Sequence, residues 1–375
     1  ALVPEAAAEL VRAGHEIYIE QGAGRLSGYD DDAYRREGVT VLPDAKRLYA
    51  AAQMIVKVKE PQPEIYPLLR PDHLVFSYLH LAANPDLTRA LQDIGLTAVA
   101  FETVESGQEL PLLAPMSDIA GRIAVQLGAT LLHRPNGGRG LLLGGMPAGE
   151  RGHVVVLGAG SAGGHAVVVA SELGARVTVF ARSRTSLARM HAIAPNVTAL
   201  PSYAPLVEAA VKDADLLIGA VLITGARTPK LVSEALVKAM KPGAAIIDIA
   251  VDQGGCVATT RPTTYAEPTF IEHGVVHFGV TNMPGAVPRT ASQALSASLL
   301  PYALKLAAEG GLSDPSLKSG INVQAGEIVH PAVKQAALDA IEGYGLSSSA
   351  SRETTGTSDL HLELERQLAE FKNRP

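Results

Sequence analysis

The chain has 375 residues, 47% of them hydrophobic and 19% charged, with 32 Lys and Arg against 38 Asp and Glu, one Cys and no Trp. Single hydrophobic cores stop growing at about 250–300 residues, so the length predicts two domains, while the composition excludes disordered, collagen-like and disulfide-stapled chains. A formal charge of -6 gives no general attraction to nucleic acid or anionic lipid, and a lone Cys256 forms no internal bridge, which fits a reducing cytoplasm.

Short apolar runs alternate with helical periodicity from the start. A helix is expected near Glu5 to Ala13, a strand over Glu16-Ile17-Tyr18-Ile19-Glu20 and a break at Gln21-Gly22-Ala23-Gly24. No signal-peptide block precedes them, so the chain reads as opened part-way through a domain. Met54 to Lys59, Leu74 to His80 and Leu96 to Phe101 read as further strands, rich in β-branched and aromatic residues. A helix from Ser117 to about Leu132 leads into the glycine-rich Asn136-Gly137-Gly138-Arg139-Gly140 and Gly144-Gly145.

Four strand-like runs follow, His153 to Leu157, Arg176 to Phe180, Leu216 to Val221 and Ala245 to Val251, separated by helical patterns. That alternation predicts an α/β fold with a doubly wound parallel sheet. Val154 to Ser171 is uncharged over the length of a membrane span, but its glycines beside Ser161 and His165 suit a turn between strand and helix better. A helix from Ser292 to about Ala308 is too short for a core of its own and is expected to return to the first domain. The expected division is a split substrate domain, 1–115 with 289–344, around a dinucleotide-binding domain, 116–288. Residues 345–375 read as a linker rich in Ser, Thr and Gly and a tail with Leu364, Leu368 and Phe371 at helical spacing.

Gly158-Ala159-Gly160-Ser161-Ala162-Gly163 directly follows Val154-Val155-Val156-Leu157 and opens the helix-like run Ala166 to Leu173, with a second strand ending at Phe180. In that context Gly158 permits a tight turn, Gly160 close approach of backbone to a pyrophosphate, and Gly163 close packing of helix on strand. A dinucleotide is expected there, a merely structural turn being the alternative. The usual ribose-binding carboxylate is missing: the second strand ends in Ala181-Arg182-Ser183-Arg184, with no Asp or Glu between Glu172 and Glu208. Arg182, Ser183 and Arg184 suit a 2′-phosphate, favouring NADP over NAD, unless both arginines simply face solvent. No metal site is expected.

Lys57-Val58-Lys59-Glu60-Pro61, Tyr78-Leu79-His80-Leu81-Ala82-Ala83, Leu113-Ala114-Pro115-Met116-Ser117, Gly137-Gly138-Arg139-Gly140 and Asp252-Gln253-Gly254-Gly255-Cys256 together resemble the alanine dehydrogenases. Arg261-Pro262-Thr263-Thr264-Tyr265 and Asn282-Met283-Pro284 extend the resemblance, in order, to about residue 335. It implies reversible oxidative deamination of L-alanine to pyruvate and ammonium, with hydride passing to C4 of a nicotinamide. It further implies substrate held in a cleft between two domains, and a homo-oligomer, commonly a hexamer. By matching motifs, Lys59 would bind substrate, His80 would act as acid and base, and Asp252 would assist the water and proton steps. Ser117, Asn282 and the glycine turn would contact the cofactor. An opening strand and an arginine gripping the substrate carboxylate would precede Ala1. The related α subunit of proton-translocating transhydrogenase shares the fold, but its Arg-Gln-Asp loop is not found. That nucleotide-binding subunit and a non-catalytic dinucleotide-binding protein are the alternative functions.

The residues taken alone say less. Histidine suits proton shuttling because its unperturbed pKa is about 6.5, yet within the apolar run Leu74 to Leu81 a core histidine is the commoner outcome. Lys59 alone is a solvated charge at a strand edge, and Lys57 on the same face is a bystander. Asp252 follows an apolar strand at its carboxyl end, where open α/β sheets bind ligands. Asp248 on that strand is the structural alternative, pairing with a neighbouring backbone group.

Overall fold

The computed structural model describes residues 1–107, 109–221 and 228–336, without the side chains of Asp252 and Gln253. The linker and tail expected over 345–375 lie outside the described residues.

Pro4 presets the first turn of α1 (Pro4–Arg12), which buries Ala6, Ala7 and Leu10. Two short parallel strands, β1 (Tyr18–Glu20) and β2 (Thr40–Leu42), are linked through α2 (Asp31–Arg36), whose first turn is capped by the Asp30 carboxylate. After α3 (Ala45–Ala51) come β3 (Met54–Val56), β4 (Leu74–Ser77) and β5 (Thr97–Ala100), parallel neighbours in one sheet, with α4 (Pro85–Ile94) between the last two. The long helix α5 (Ala114–Leu131) then leads into the second sheet.

That sheet is built from β6 (His153–Leu157), β7 (Arg176–Ala181), β8 (Val197–Pro201), β9 (Leu216–Gly219), β10 (Ala245–Asp248), β11 (Thr269–Glu272) and β12 (Val275–Phe278). Between them lie α6 (Ser161–Glu172), α7 (Arg184–His191), α8 (Ala204–Asp213) and α9 (Glu234–Lys238). Across the sheet the order is β11-β12-β10-β9-β6-β7-β8, all parallel except the β11–β12 edge hairpin. Counted from β6, the parallel strands follow the doubly wound order of a dinucleotide fold, with the winding reversing between β6 and β9. Both faces are covered, which is why the strands read as unbroken apolar runs. Val154, Val156, Leu216 and Ile218 pack with Ala124 of α5 and Val167 of α6, whereas Val155, Leu157 and Leu217 pack with Val211 of α8 and Val237 of α9.

The chain then returns to the first sheet. α10 (Pro288–Ala307) buries Leu295, Leu299 and Leu306 with Phe76, Val99 and Phe101. β13 (Ile321–Gln324) pairs antiparallel with β5, and β14 (Glu327–Ile328) with β13.

Several elements end earlier than the sequence predicts. β3 stops at Val56 and β4 at Ser77, so Lys59 and His80 stand in loops beyond the strands, the first loop running into Pro61, which has no N–H to offer a ladder. β9 stops at Gly219. β10 stops at Asp248 because its carboxylate accepts from Ala250 N at 3.2 Å and caps a 3₁₀ turn, Ile249–Gln253. α6 starts at Ser161 rather than Ala166, directly on the glycine turn. The uncharged stretch Val154 to Ser171 is thus β6, a turn and most of α6, and among the described residues no helix is long and apolar enough to cross a membrane.

Candidate active site

The loops after β3, β4 and β5 carry Lys59, His80 and Glu102 at the carboxyl ends of three adjacent parallel strands. They are tied to one another. Ser77 Oγ donates to Lys59 O at 2.9 Å, and the Glu102 carboxylate accepts from Leu79 N at 3.2 Å and His80 N at 2.6 Å. Those two amide bonds hold His80 in the left-handed region, at φ 49° and ψ 40°. For a residue with a Cβ that conformation costs about 1–2 kcal/mol and persists only where the surroundings enforce it. The His80 ring is half-exposed, with Nδ1 3.8 Å from Glu102 Oε1 and its face parallel to Tyr78 at 6.1 Å between centroids. Tyr78 is anchored in turn by donating to Leu112 O at 2.5 Å. His80 is therefore not a core histidine. Lys59 is exposed, while half-buried Lys57 donates to Glu60 O at 3.1 Å, and burial pulls its pKa below the ordinary lysine value.

Asp252 lies in the 3₁₀ turn at the carboxyl end of β10, and its side chain is outside the described residues. The turn itself is pinned from two sides. Asp248 is 1% exposed and its Oδ2 accepts from Cys256 N at 2.8 Å and Val257 N at 3.1 Å. Burial raises its pKa against the pull of those amides. Asp248 thus takes the backbone-pairing role anticipated as its structural alternative. Lys230 Nζ donates to Gly254 O at 2.5 Å and Val257 O at 2.9 Å, closing the other side.

The glycine turn follows β6 at the reversal point of the sheet. Gly158 has φ 107°, and a Cβ there would stand 2.4 Å from Ala220 O; one on Gly163 would stand 2.0 Å from Gly158 O. A Cβ on Gly160 would meet nothing within 4 Å. No side chain caps α6, whose first-turn amides lack intrahelical acceptors. Open space over Gly160 and uncapped amides suit an anion such as a dinucleotide's diphosphate.

α5 packs tightly on this turn, since a Cβ on Gly121 would lie 2.1 Å from Ala162 O. That closeness brings the first turn of α5, with Ser117 and Asp118, beside the glycines: Asp118 Oδ1 accepts from Ser161 Oγ and lies 3.2 Å from His165 Nε2. Asn282 precedes the short turn Met283–Ala286, whose Met283 shares a core with Ile119 of α5. Met116 packs against both that core and the one around Tyr78 and Phe101, joining the two sheets next to Ser117. Beyond β7, Ser183 caps α7 by accepting from Ser186 N at 3.1 Å, and Arg182 and Arg184 are exposed. Arg189 reaches back from α7 to donate to Ala159 O inside the glycine turn.

The other glycine-rich segment lies elsewhere. Gly138 packs so closely that a Cβ would stand 2.2 Å from Leu131 O. Arg139 bonds to Asp215, which also accepts from His153 N at 2.8 Å and Lys241 Nζ at 3.3 Å. His153 opens β6 and Asp215 precedes β9, so this cluster closes the amino end of the sheet.

Glu102, Asp118, Arg189 and Lys230 were not singled out from sequence. Glu102 alone carried a signal, as the charged residue just past a predicted strand. The others act through neighbours distant in sequence.

Two family models match most of the chain: "Alanine dehydrogenase/PNT, N-terminal domain" matches residues 1–120 and "Alanine dehydrogenase/PNT, C-terminal domain" residues 124–331. The alanine dehydrogenase of Bacillus subtilis strain 168 is 45% identical over 339 residues, covering 89% of each chain. That of Mycobacterium tuberculosis strain H37Rv is 45% identical over 335 residues, covering 88% of this chain and 90% of the relative. A solved L-alanine dehydrogenase superposes with a TM-score of 0.86 at 50% identity, over 90% of this chain and 95% of that one. A transhydrogenase from Sinorhizobium meliloti shares the fold, with a TM-score of 0.77 at 24% identity over 88% of this chain and 95% of that one.

Proposed function

The chain belongs to the alanine dehydrogenase/PNT family, and from that premise we propose that it oxidatively and reversibly deaminates L-alanine to pyruvate and ammonium, using a nicotinamide dinucleotide. The observation that carries the reading is the gathering of Lys59, His80 and Glu102 at the carboxyl ends of three adjacent parallel strands, the side on which such sheets bind ligands.

The nicotinamide ring, when bound, supplies the hydride acceptor. Lys59 pairs its ammonium with the substrate carboxylate and orients the amino acid. As water adds to the iminium carbon of the oxidised substrate, His80 takes its proton, then returns one to nitrogen as ammonia leaves. Asp252 assists from the turn after β10. Glu102 works through the backbone, holding the bent segment that presents the imidazole. The balance is alanine, water and oxidised dinucleotide giving pyruvate, ammonium, reduced dinucleotide and one proton. The glycine turn with Gly158, Gly160 and Gly163 holds the diphosphate, with Ser117 and Asn282 as further cofactor contacts.

NADP is the preferred form in this reading. Its support is the pair of exposed arginines, Arg182 and Arg184, beside a capping Ser183 where a ribose-binding acid is absent. Residues 1–115 with 289–344 are assigned to the substrate unit and 116–288 to the nucleotide unit, a division supported by the return of β13 to β5, with 337–344 outside the described residues. The assembly is a homohexamer, tested by sedimentation. Cytoplasmic location fits the buried, unpaired Cys256.

The test is spectrophotometric: alanine-dependent reduction of NAD and of NADP, with pyruvate and ammonium formed in equal amounts. Failure of alanine to reduce either dinucleotide contradicts the proposal. Tighter binding of NAD by about tenfold contradicts the cofactor preference alone.

A further inference from the structure

The reaction leaves Asp118 without a task, yet this carboxylate sits beside the turn that seats the diphosphate. Its position is built rather than incidental. α5 is pressed onto the first turn of α6 at Gly121, and Asp118 Oδ1 accepts from Ser161 Oγ, on the first residue of α6. His165 Nε2 lies 3.2 Å from the same oxygen, and His165 Nδ1 is buried without a partner among the described residues. An imidazolium carries a proton on both nitrogens, and a buried N–H with no acceptor is costly. Among the described residues no lysine or arginine pairs with Asp118.

A helix N-terminus favours negative charge, and α6 has no capping side chain of its own. Asp118 supplies that charge from a neighbouring helix. It also occupies the Ser161 hydroxyl, a donor next to the open space over Gly160. Asp118 and a bound diphosphate then place two anions at one helix N-terminus, where they compete for one hydroxyl.

We propose that Asp118 is an affinity-setting residue: a resident anion, held by Ser161 and His165, that opposes the dinucleotide's diphosphate and eases its release. The inference rests on the dinucleotide reading above. Because the diphosphate is unchanged by hydride transfer, the opposition weakens oxidised and reduced cofactor alike and favours exchange in both reaction directions.

The experiment is calorimetric titration of the full chain with ADP-ribose, which carries the diphosphate, and with adenosine, which does not. Asp118→Asn and Asp118→Ser should each bind ADP-ribose about two- to fivefold more tightly than the parent, with adenosine unchanged. Asp118→Glu, which keeps the charge, should stay near the parent. A merely loosened fold weakens both ligands and tightens neither. Unchanged or weaker ADP-ribose binding in both charge-removing variants overturns the inference, as does equal tightening of adenosine. Failure of the parent chain to bind ADP-ribose overturns the dinucleotide reading and this inference with it.

Discussion

Strand β4 is flanked by two histidines with opposite surroundings. His73, at its amino end, is 1% exposed: Nδ1 accepts from Arg70 N at 3.1 Å and Nε2 donates to Tyr49 O at 3.0 Å. His80, beyond its carboxyl end, is half-exposed, and a carboxylate that grips its amide holds it in left-handed backbone. The second sheet repeats the contrast with glycines. At its amino end Gly138 is walled in by backbone, and Arg139, Asp215, Lys241 and His153 satisfy one another; at its carboxyl end Gly160 faces open space and α6 is uncapped. Residue type separates neither pair. Whether the partners are already inside the protein, or are left for a ligand, separates both.

The sharpest way to break this comparison is to truncate both histidines. His80→Ala should lower turnover by about 10²–10⁴ while dinucleotide affinity and melting temperature stay near the parent. His73→Ala should do the reverse, lowering the melting temperature while folded protein turns over normally. A normal rate in His80→Ala removes that residue from the chemistry.

Next in size is the amino end of the second sheet. Asp215 is 5% exposed, and Arg139→Met strips it of one cationic partner. Chemical denaturation should show a loss of about 2–4 kcal/mol, with cofactor affinity of the folded fraction unchanged. A loss of affinity without loss of stability would place Arg139 in the binding site instead. Gly160→Val is the complement: the dinucleotide Kd should rise about tenfold, near 1.4 kcal/mol, while stability moves by no more than about 0.5 kcal/mol. Unaltered affinity would mean that no ligand approaches Gly160.

The smallest effect lies in the pH dependence. Burial, ahead of Arg70's charge, pulls His73 below an ordinary imidazole pKa, and burial does the same to His153 and His277. Native histidines with depressed pKa values stabilise the fold fully above the unfolded value of about 6.5. Below it the unfolded chain binds protons first, and that stability is lost as pH falls towards the native values. Melting temperatures should therefore decline on acidification through about pH 6.5, and less steeply in His73→Gln. Identical slopes would show that His73 titrates alike in both states.

Much of this was legible in the residues. β6 has the predicted bounds because a strand buried on both faces is an unbroken apolar run. The glycine turn was readable because each glycine answers a separate backbone demand, at Gly158, Gly160 and Gly163. β8 was not readable: Val197–Pro201 lies at the sheet edge, half-buried and ending in proline. β13 is four residues long and is defined by β5, far away in sequence. Strand ends were overrun because apolar residues continue past them, as Tyr78 and Leu79 do beyond β4, into loops that bury side chains without pairing. Glu102 offered only the signal of a charge just past a strand, because its task, accepting two amides from another loop, is one that no local pattern encodes.

A structure of the complex with dinucleotide and pyruvate tests the central claim most directly. The account predicts the diphosphate over Gly160, with the His80 imidazole and the Lys59 ammonium within about 2.6–3.2 Å of pyruvate oxygens beside the nicotinamide ring. Pyruvate seated at the amino ends of the strands, or His80 turned away from it into solvent, would contradict the account.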